Sequence, residues 1–320
     1  MAVGSIVCFV CGFLYPLLAN VTGFLLLRLI HGFSTGFKPT ATAAYVADVV
    51  PQSRWGEALG IHGLCFSTGM AVGPAIGSAI TSSFSINVLF YCSSLFALMS
   101  IIILMNMKET VRHKHPFSFR LFKISKYDII DIRVIPAGIV TFLSYMPYGI
   151  IITLIPDWSQ HLGIGNKGLF FMVFTIASLL IRFIAGKVSD RYGRISVIKA
   201  GLLIIVISLF IAGYADTVSG LMLTAVVYGI GSGILSPAVN AWTIDLSDPK
   251  SRGKAVATMY ISLEAGIGIG ALIAGWMYQD VISKVPAIFY LSAGISVLAL
   301  AYMFVWKRTH YPSILSRRAV

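Results

Sequence analysis

GKVSDRYGR, residues 186–194, sets four charges in nine residues between two long apolar runs, in a chain of which only 11% is charged. Lys187, Asp190, Arg191 and Arg194 are the charges, and the two glycines are the first residue and the one before the last. Gly186 allows close helix approach and Gly193 permits a tight turn. Asp190 is suited to accept bonds from the free N–H groups of a helix start. Arg191 and Arg194 can make forked bonds with a carboxylate, and Asp245 is the candidate partner. The stretch therefore reads as a short polar turn between two membrane-crossing helices.

The rest of the chain supports that setting. Of its 320 residues 57% are hydrophobic, with mean hydropathy +0.87, which excludes soluble, solenoid and disordered architectures. Apolar runs fall near 1–19, 21–46, 56–80, 84–107, 134–156, 164–185, 196–214, 218–243, 255–278 and 285–306. Each is long enough to cross a hydrocarbon core of ~30 Å as a helix. The runs are continuous rather than alternating, so helices are expected and barrel strands are not. The expected fold class is an all-α membrane protein with ten transmembrane helices.

The net charge of +12 is distributed by side of the membrane rather than in a patch for nucleic acid. With alternating loops, one side receives Arg54, the basic residues of 108–133, those of 187–199 and 250–254, and Lys307, Arg308, Arg317 and Arg318. The other side receives Lys167 and Lys284 alone. This asymmetry places the linker and the C-terminus in the cytoplasm, with a cell (inner) membrane as the expected location. Arg28, Lys38 and Arg182 lie within helices. Cys8, Cys11, Cys65 and Cys92 all sit in apolar runs, so packing rather than zinc or redox chemistry is expected of them. Neither a phosphate-loop G-x-x-x-x-G-K-[ST] nor an H-E-x-x-H occurs, and no cofactor, metal or enzyme activity is expected.

An internal repeat organises the chain. A shift of 197 residues aligns Gly4 with Gly201, Gly23 with Gly220, Gly32 with Gly229, Gly36 with Gly233 and Asp48 with Asp245. It also aligns Gly56 with Gly253, Ala58 with Ala255, Gly69 with Gly266 and Gly73 with Gly270. Parallel repeats joined by a basic linker are a common transporter plan. The expected domains are 1–107, a truncated N-terminal bundle; 108–133, a basic cytoplasmic linker; and 134–320, a six-helix C-terminal bundle with a cytoplasmic tail. By the same shift, the partner of GKVSDRYGR falls before Met1, so a complete first half would begin about 66 residues upstream.

These residues resemble the major facilitator superfamily over essentially the whole chain. GKVSDRYGR resembles that family's loop signature G-x-L-A-D-R-x-G-R. RLIHGFSTG at 28–36 resembles its helix-four signature, with His31 where Gln is usual. GMAVGPAIGS at 69–78 resembles the helix-five signature G-x-x-x-G-P-x-x-G-G of the drug:proton antiporter branch, with Ser78 replacing the last Gly. The resemblance implies pseudo-twofold helical bundles, with the ten runs here equivalent to helices three to twelve of twelve. It implies substrate binding between the bundles near the midplane and alternating access. It also implies that Gly186, Asp190, Arg191, Gly193 and Arg194, with Asp245, form a cytoplasmic latch holding one state. Asp48 would serve the corresponding first loop.

Three further groups of residues are candidates for the substrate or proton pathway. Arg28, His31, Thr35, Lys38 and Thr42 follow spacings of three and four, so they share one helix face. Ionisable groups in a membrane segment normally face a wet cavity or a partner. Tyr145 and Tyr148 flank Pro147, an expected cavity face and bend. Glu264, midway along 255–278, is placed to carry a proton or to pair with a cation. Gly69, Gly73 and Gly77 line one helix face and suit close packing, with Pro74 bending that helix; Gly266 and Gly270 form the matching face in the second half. The segment 116–131 mixes aromatic and basic residues and reads as an amphipathic stretch on the inner membrane surface.

The function expected is secondary active transport, as proton-coupled efflux or antiport of a small molecule driven by the proton gradient. A sugar or metabolite facilitator or symporter of the same superfamily, and an inactive truncated fragment, are the alternatives. The expected partners are the small-molecule substrate and the lipid bilayer, with no nucleic acid, in a monomer.

Overall fold

The structure, a computed structural model, describes residues 1–51, 54–109, 130–248 and 251–318. Most of the linker, and with it the amphipathic segment expected at 116–131 up to residue 129, lies outside the described residues. Ten α-helices and short 3-10 turns make up the described residues, with no strand among them. The all-α reading holds. The chain divides into two compact units, Met1–Phe117 and Ser118–Val320.

The first unit holds α1 (Ala2–Leu14), a 3-10 turn at Tyr15–Leu17, α2 (Val21–Val49), α3 (Trp55–Ser83) and α4 (Ile86–Met105). Pro16 interrupts the first apolar run and leaves Tyr15 buried at the break. The second unit holds α5 (Ile135–His161), α6 (Leu169–Tyr192), α7 (Arg194–Tyr214), α8 (Val218–Leu246), α9 (Arg252–Tyr278) and α10 (Val285–Arg318). Among the described residues, seven helices are long and apolar enough to cross a membrane. The apolar stretches of the other three, Ala2–Leu17, Val21–Ser34 and Leu169–Arg182, are shorter. The last two helices carry the mid-helix charges Arg28, Lys38 and Arg182.

The repeat is visible in the helices themselves. α2 begins at 21 and ends at 49, α8 begins at 218 and ends at 246, and both differences are 197. The caps match as well. Asn20 accepts from the Gly23 N–H at 2.6 Å, and its counterpart Thr217 accepts from the Gly220 N–H at 3.2 Å. Each cap satisfies one of the donors that a helix start leaves open. Within the first unit α1 packs on α2 and α4, and within the second α7 packs on α8 and α10.

Two further pairs build the second unit: α5 along α9 and α6 along α8. Small residues let the backbones meet. A Cβ at Gly270 would collide with the Met146 carbonyl, and one at Gly266 with that of Phe142. Lipid tails are as apolar as leucine, so close packing of this kind, rather than burial from water, drives association in a bilayer. Leu154, Ile155, Ile198, Leu202 and Phe289 are fully enclosed, while Leu180, Trp276 and Leu298 stay exposed on the outside. That distribution suits a unit whose solvent is lipid.

Candidate functional site

Four helices of the second unit bring polar side chains to one depth. Tyr145 on α5 stands close to Ser236 on α8 and within electrostatic range of Arg182 on α6 and of Tyr260 and Glu264 on α9. Counted along their helices from the ends on the basic side, Tyr145, Arg182, Ser236 and Glu264 all lie about 15 to 18 Å in, at 1.5 Å per residue. That is the middle of a ~30 Å hydrocarbon core. An aromatic row continues from it: Tyr145 meets Tyr148 edge-on at 6.3 Å, Tyr148 meets Phe174 at 5.9 Å, and Phe174 meets Tyr228 at 5.6 Å. Pro147 stands between the two tyrosines without breaking α5.

Sequence reading paired Tyr145 with Tyr148 and singled out Glu264, but gave no role to Arg182 or Ser236. Arg182 carried a signal, as a cation inside an apolar run. Ser236 carried none, because a serine in a membrane helix usually donates to the carbonyl one turn back. Glu264 is exposed at the surface of its helix rather than enclosed by packed side chains.

In the first unit, α2 carries the charged face. Arg28 is exposed, while His31 and Lys38 are half-buried; the side chain of Thr35 lies outside the described residues. His31 is held by a residue that sequence reading missed: its Nδ1 lies 3.0 Å from the buried Tyr15 hydroxyl. Tyr15 in turn stacks on Phe90 at 4.8 Å and tilts against Phe24 at 5.2 Å. Thr42 donates to the Lys38 carbonyl at 2.7 Å. GFSTG at 32–36 fits the spacing G-x-S-x-G of a hydrolase elbow, which needs a strand-to-helix turn. Here it lies inside α2, and Ser34 Oγ donates to the His31 carbonyl at 2.7 Å. No group of His, Cys, Asp and Glu able to hold a metal is found among the described residues.

The GKVSDRYGR stretch forms the end of α6 and the start of α7. Gly193 alone separates the helices, at φ 84°, a left-handed conformation that favours glycine. The turn folds Arg194 back, so that its Nε donates to Asp245 at 3.2 Å and its Nη1 donates to Asp190 and, at 3.1 Å, to Ser189 Oγ. Two expectations are corrected. Asp190 caps no helix start, since it sits in the last turn of α6 and α7 has no side-chain cap. Arg191 does not share Asp245; its guanidinium lies over the Tyr192 ring, 5.5 Å from the centroid. The single-residue turn leaves only Arg194 pointing back across both carboxylates. Gly186 lies in α6, and its surroundings fall outside the described residues.

The glycine face of α3 departs from the close packing expected of it. No described atom lies within 4 Å of where a side chain would begin at Gly69 or Gly73, and Gly77 meets only Leu89, at 3.5 Å. Pro74 lies inside the helix, which continues past it. The matching face of α9 is filled by α5, and α5 has no counterpart among the described helices of the first unit.

Comparison with known proteins agrees with this architecture. The model of the Major Facilitator Superfamily matches residues 1–126 and 137–319. An uncharacterised MFS-type transporter of Methanocaldococcus jannaschii is 26% identical over 304 residues, covering 88% of this chain and 76% of that protein. Multidrug resistance protein 1 of Bacillus subtilis is 31% identical over 160 residues, 49% of this chain and 40% of that protein. The matched stretch thus spans about two fifths of that relative's length. Among solved structures, a D-xylose-proton symporter superposes with a TM-score of 0.69 at 16% identity, covering 94% of this chain and 79% of that one. With ten helices in two units, a repeat in register and a model match over nearly its whole length, the chain is a multi-pass membrane protein and belongs to the Major Facilitator Superfamily.

Proposed function

We infer that this chain works as a secondary transporter that exports a small molecule in exchange for protons by alternating access. One observation carries the reading: a cation and a carboxylate, Arg182 and Glu264, both lie within electrostatic range of the Tyr145 hydroxyl at mid-membrane depth. An ionisable pair there is costly unless it serves a pathway. Protonation of Glu264 would change the balance of charge around Tyr145 and Arg182, which links proton binding to substrate binding in one place. Lys38 on α2 of the first unit carries a positive charge, which suits a substrate with an anionic group. The similarity to a multidrug resistance protein supports efflux as the direction. No cofactor is required; the proton gradient supplies the driving force.

The test is transport in proteoliposomes with an imposed pH gradient, comparing the native chain with Glu264→Gln. The variant is expected to keep downhill substrate flux and to lose acceleration by the gradient. Retained coupling would remove the proton from Glu264. A second reading, uptake of a sugar or metabolite with protons, is favoured by the likeness to the D-xylose-proton symporter fold. Inward accumulation driven by an inward proton gradient would select it.

A further inference from the structure

A cleft of about 270 Å³ runs along α6 and α7 in the second unit, lined by Ile181, Ala185, Val188, Ala200 and Ile234, with Tyr192 and Ser196 lining it toward the helix ends. From Ile181 to Tyr192 is eleven residues of helix, about 16 Å. One leaflet of a ~30 Å hydrocarbon core has that depth. The cleft is thus apolar over the length of one leaflet, from mid-membrane to the basic side. Its flank is open, since Ile184 is 58% and Tyr192 62% exposed.

Charge at the mouth says what fits. Arg194 is committed to Asp190, Asp245 and Ser189. Arg191 is exposed, and its guanidinium rests on the face of Tyr192, beside the mouth. A tyrosine at the interface, a cation beside it and an apolar slot one leaflet deep match the three parts of a phospholipid: glycerol backbone, anionic headgroup and acyl chain. We propose that this cleft is a binding site for an anionic phospholipid of the cytoplasmic leaflet, with one acyl chain between α6 and α7 and its phosphate on Arg191. Through Tyr192 and Gly193 the lipid would abut the turn that positions Arg194 against Asp245, so its occupancy would bear on that ion pair. The site belongs to the second unit alone and does not depend on what the chain transports.

The experiment uses the full chain in nanodiscs of equimolar phosphatidylglycerol and phosphatidylcholine, with retained lipid counted by native mass spectrometry. The native chain is expected to retain phosphatidylglycerol about fivefold over phosphatidylcholine, the factor that ~1 kcal/mol per basic residue gives. Arg191→Gln should erase the preference and Arg191→Lys should keep it. Ala200→Phe, which fills the slot, should lower retention of both lipids. Equal retention by the native chain, or a preference that survives Arg191→Gln, would overturn the site. If Ala200→Phe fails to fold, the two Arg191 variants still decide the question.

Discussion

Asp245 and Asp248, three residues apart at the end of α8, each hold an arginine from a different helix start. Arg194, at the start of α7, donates to Asp245 at 3.2 Å, and Arg133, just ahead of α5, donates to Asp248 at 2.8 Å. Asp131 extends the network: its buried carboxylate accepts from the Arg133 N–H at 3.1 Å and from Ser251 Oγ at 3.2 Å. Its own N–H donates to Thr258 Oγ1 at 2.9 Å. One end of the second unit is thereby tied across α5, α7, α8 and α9.

The members of this network should differ in weight. Arg133 is exposed and Asp248 partly so, so Asp248→Asn is expected to change stability little. Asp131→Ala leaves the Arg133 N–H and the Ser251 hydroxyl, both part-buried, without their acceptor and should cost ~1–3 kcal/mol. Thermal unfolding in micelles distinguishes them. Equal small losses would mean that the Asp131 contacts add nothing.

Asp190→Asn weakens the grip on Arg194 without changing the turn at Gly193. We expect it to slow conformational exchange by a few-fold while substrate affinity changes little. Fluorescence reporters on the two membrane faces measure the exchange. A change confined to affinity would count against a latch.

The packing of α5 on α9 makes a sharp contrast along one helix. Gly270→Val drives a side chain into the Met146 backbone and is expected to destabilise by ~1–3 kcal/mol or more. At Gly268 nothing described lies within 4 Å, so Gly268→Val should be tolerated within about 0.5 kcal/mol. Similar losses at both sites would sink the claim of backbone contact.

Tyr15→Phe removes the hydrogen bond to His31 and leaves the ring stack on Phe90 in place. A loss of about 1 kcal/mol in unfolding is expected. Stability unchanged in Tyr15→Phe but lowered in Tyr15→Ala would assign the whole effect to packing.

Lys38→Ala should leave membrane insertion intact and lower transport at least tenfold if Lys38 contacts substrate or its counter-charge. Vesicle flux at matched expression tests this. Native flux would take Lys38 out of the pathway.

Sequence by itself determined the number and order of the helices, because a ~20-residue apolar run has no other stable form across a bilayer. It also determined the repeat, since register at 197 residues survives in both the glycines and the caps Asn20 and Thr217. Helix periodicity was enough to put His31 and Lys38 on one face. Which side chains meet was another matter. Tyr145 and Ser236 are 91 positions apart, Arg133 and Asp248 are 115 apart, and no local pattern links either pair. Arg194 rather than Arg191 takes Asp245 because a single glycine at φ 84° sets the direction of the next helix. Glycines at 69 and 73 and at 266 and 270 look alike as sequence, yet among the described residues only the second pair has a helix against it. Periodicity fixes the face of a helix; its neighbours are chosen by packing over the whole unit, and only the tertiary structure records that choice.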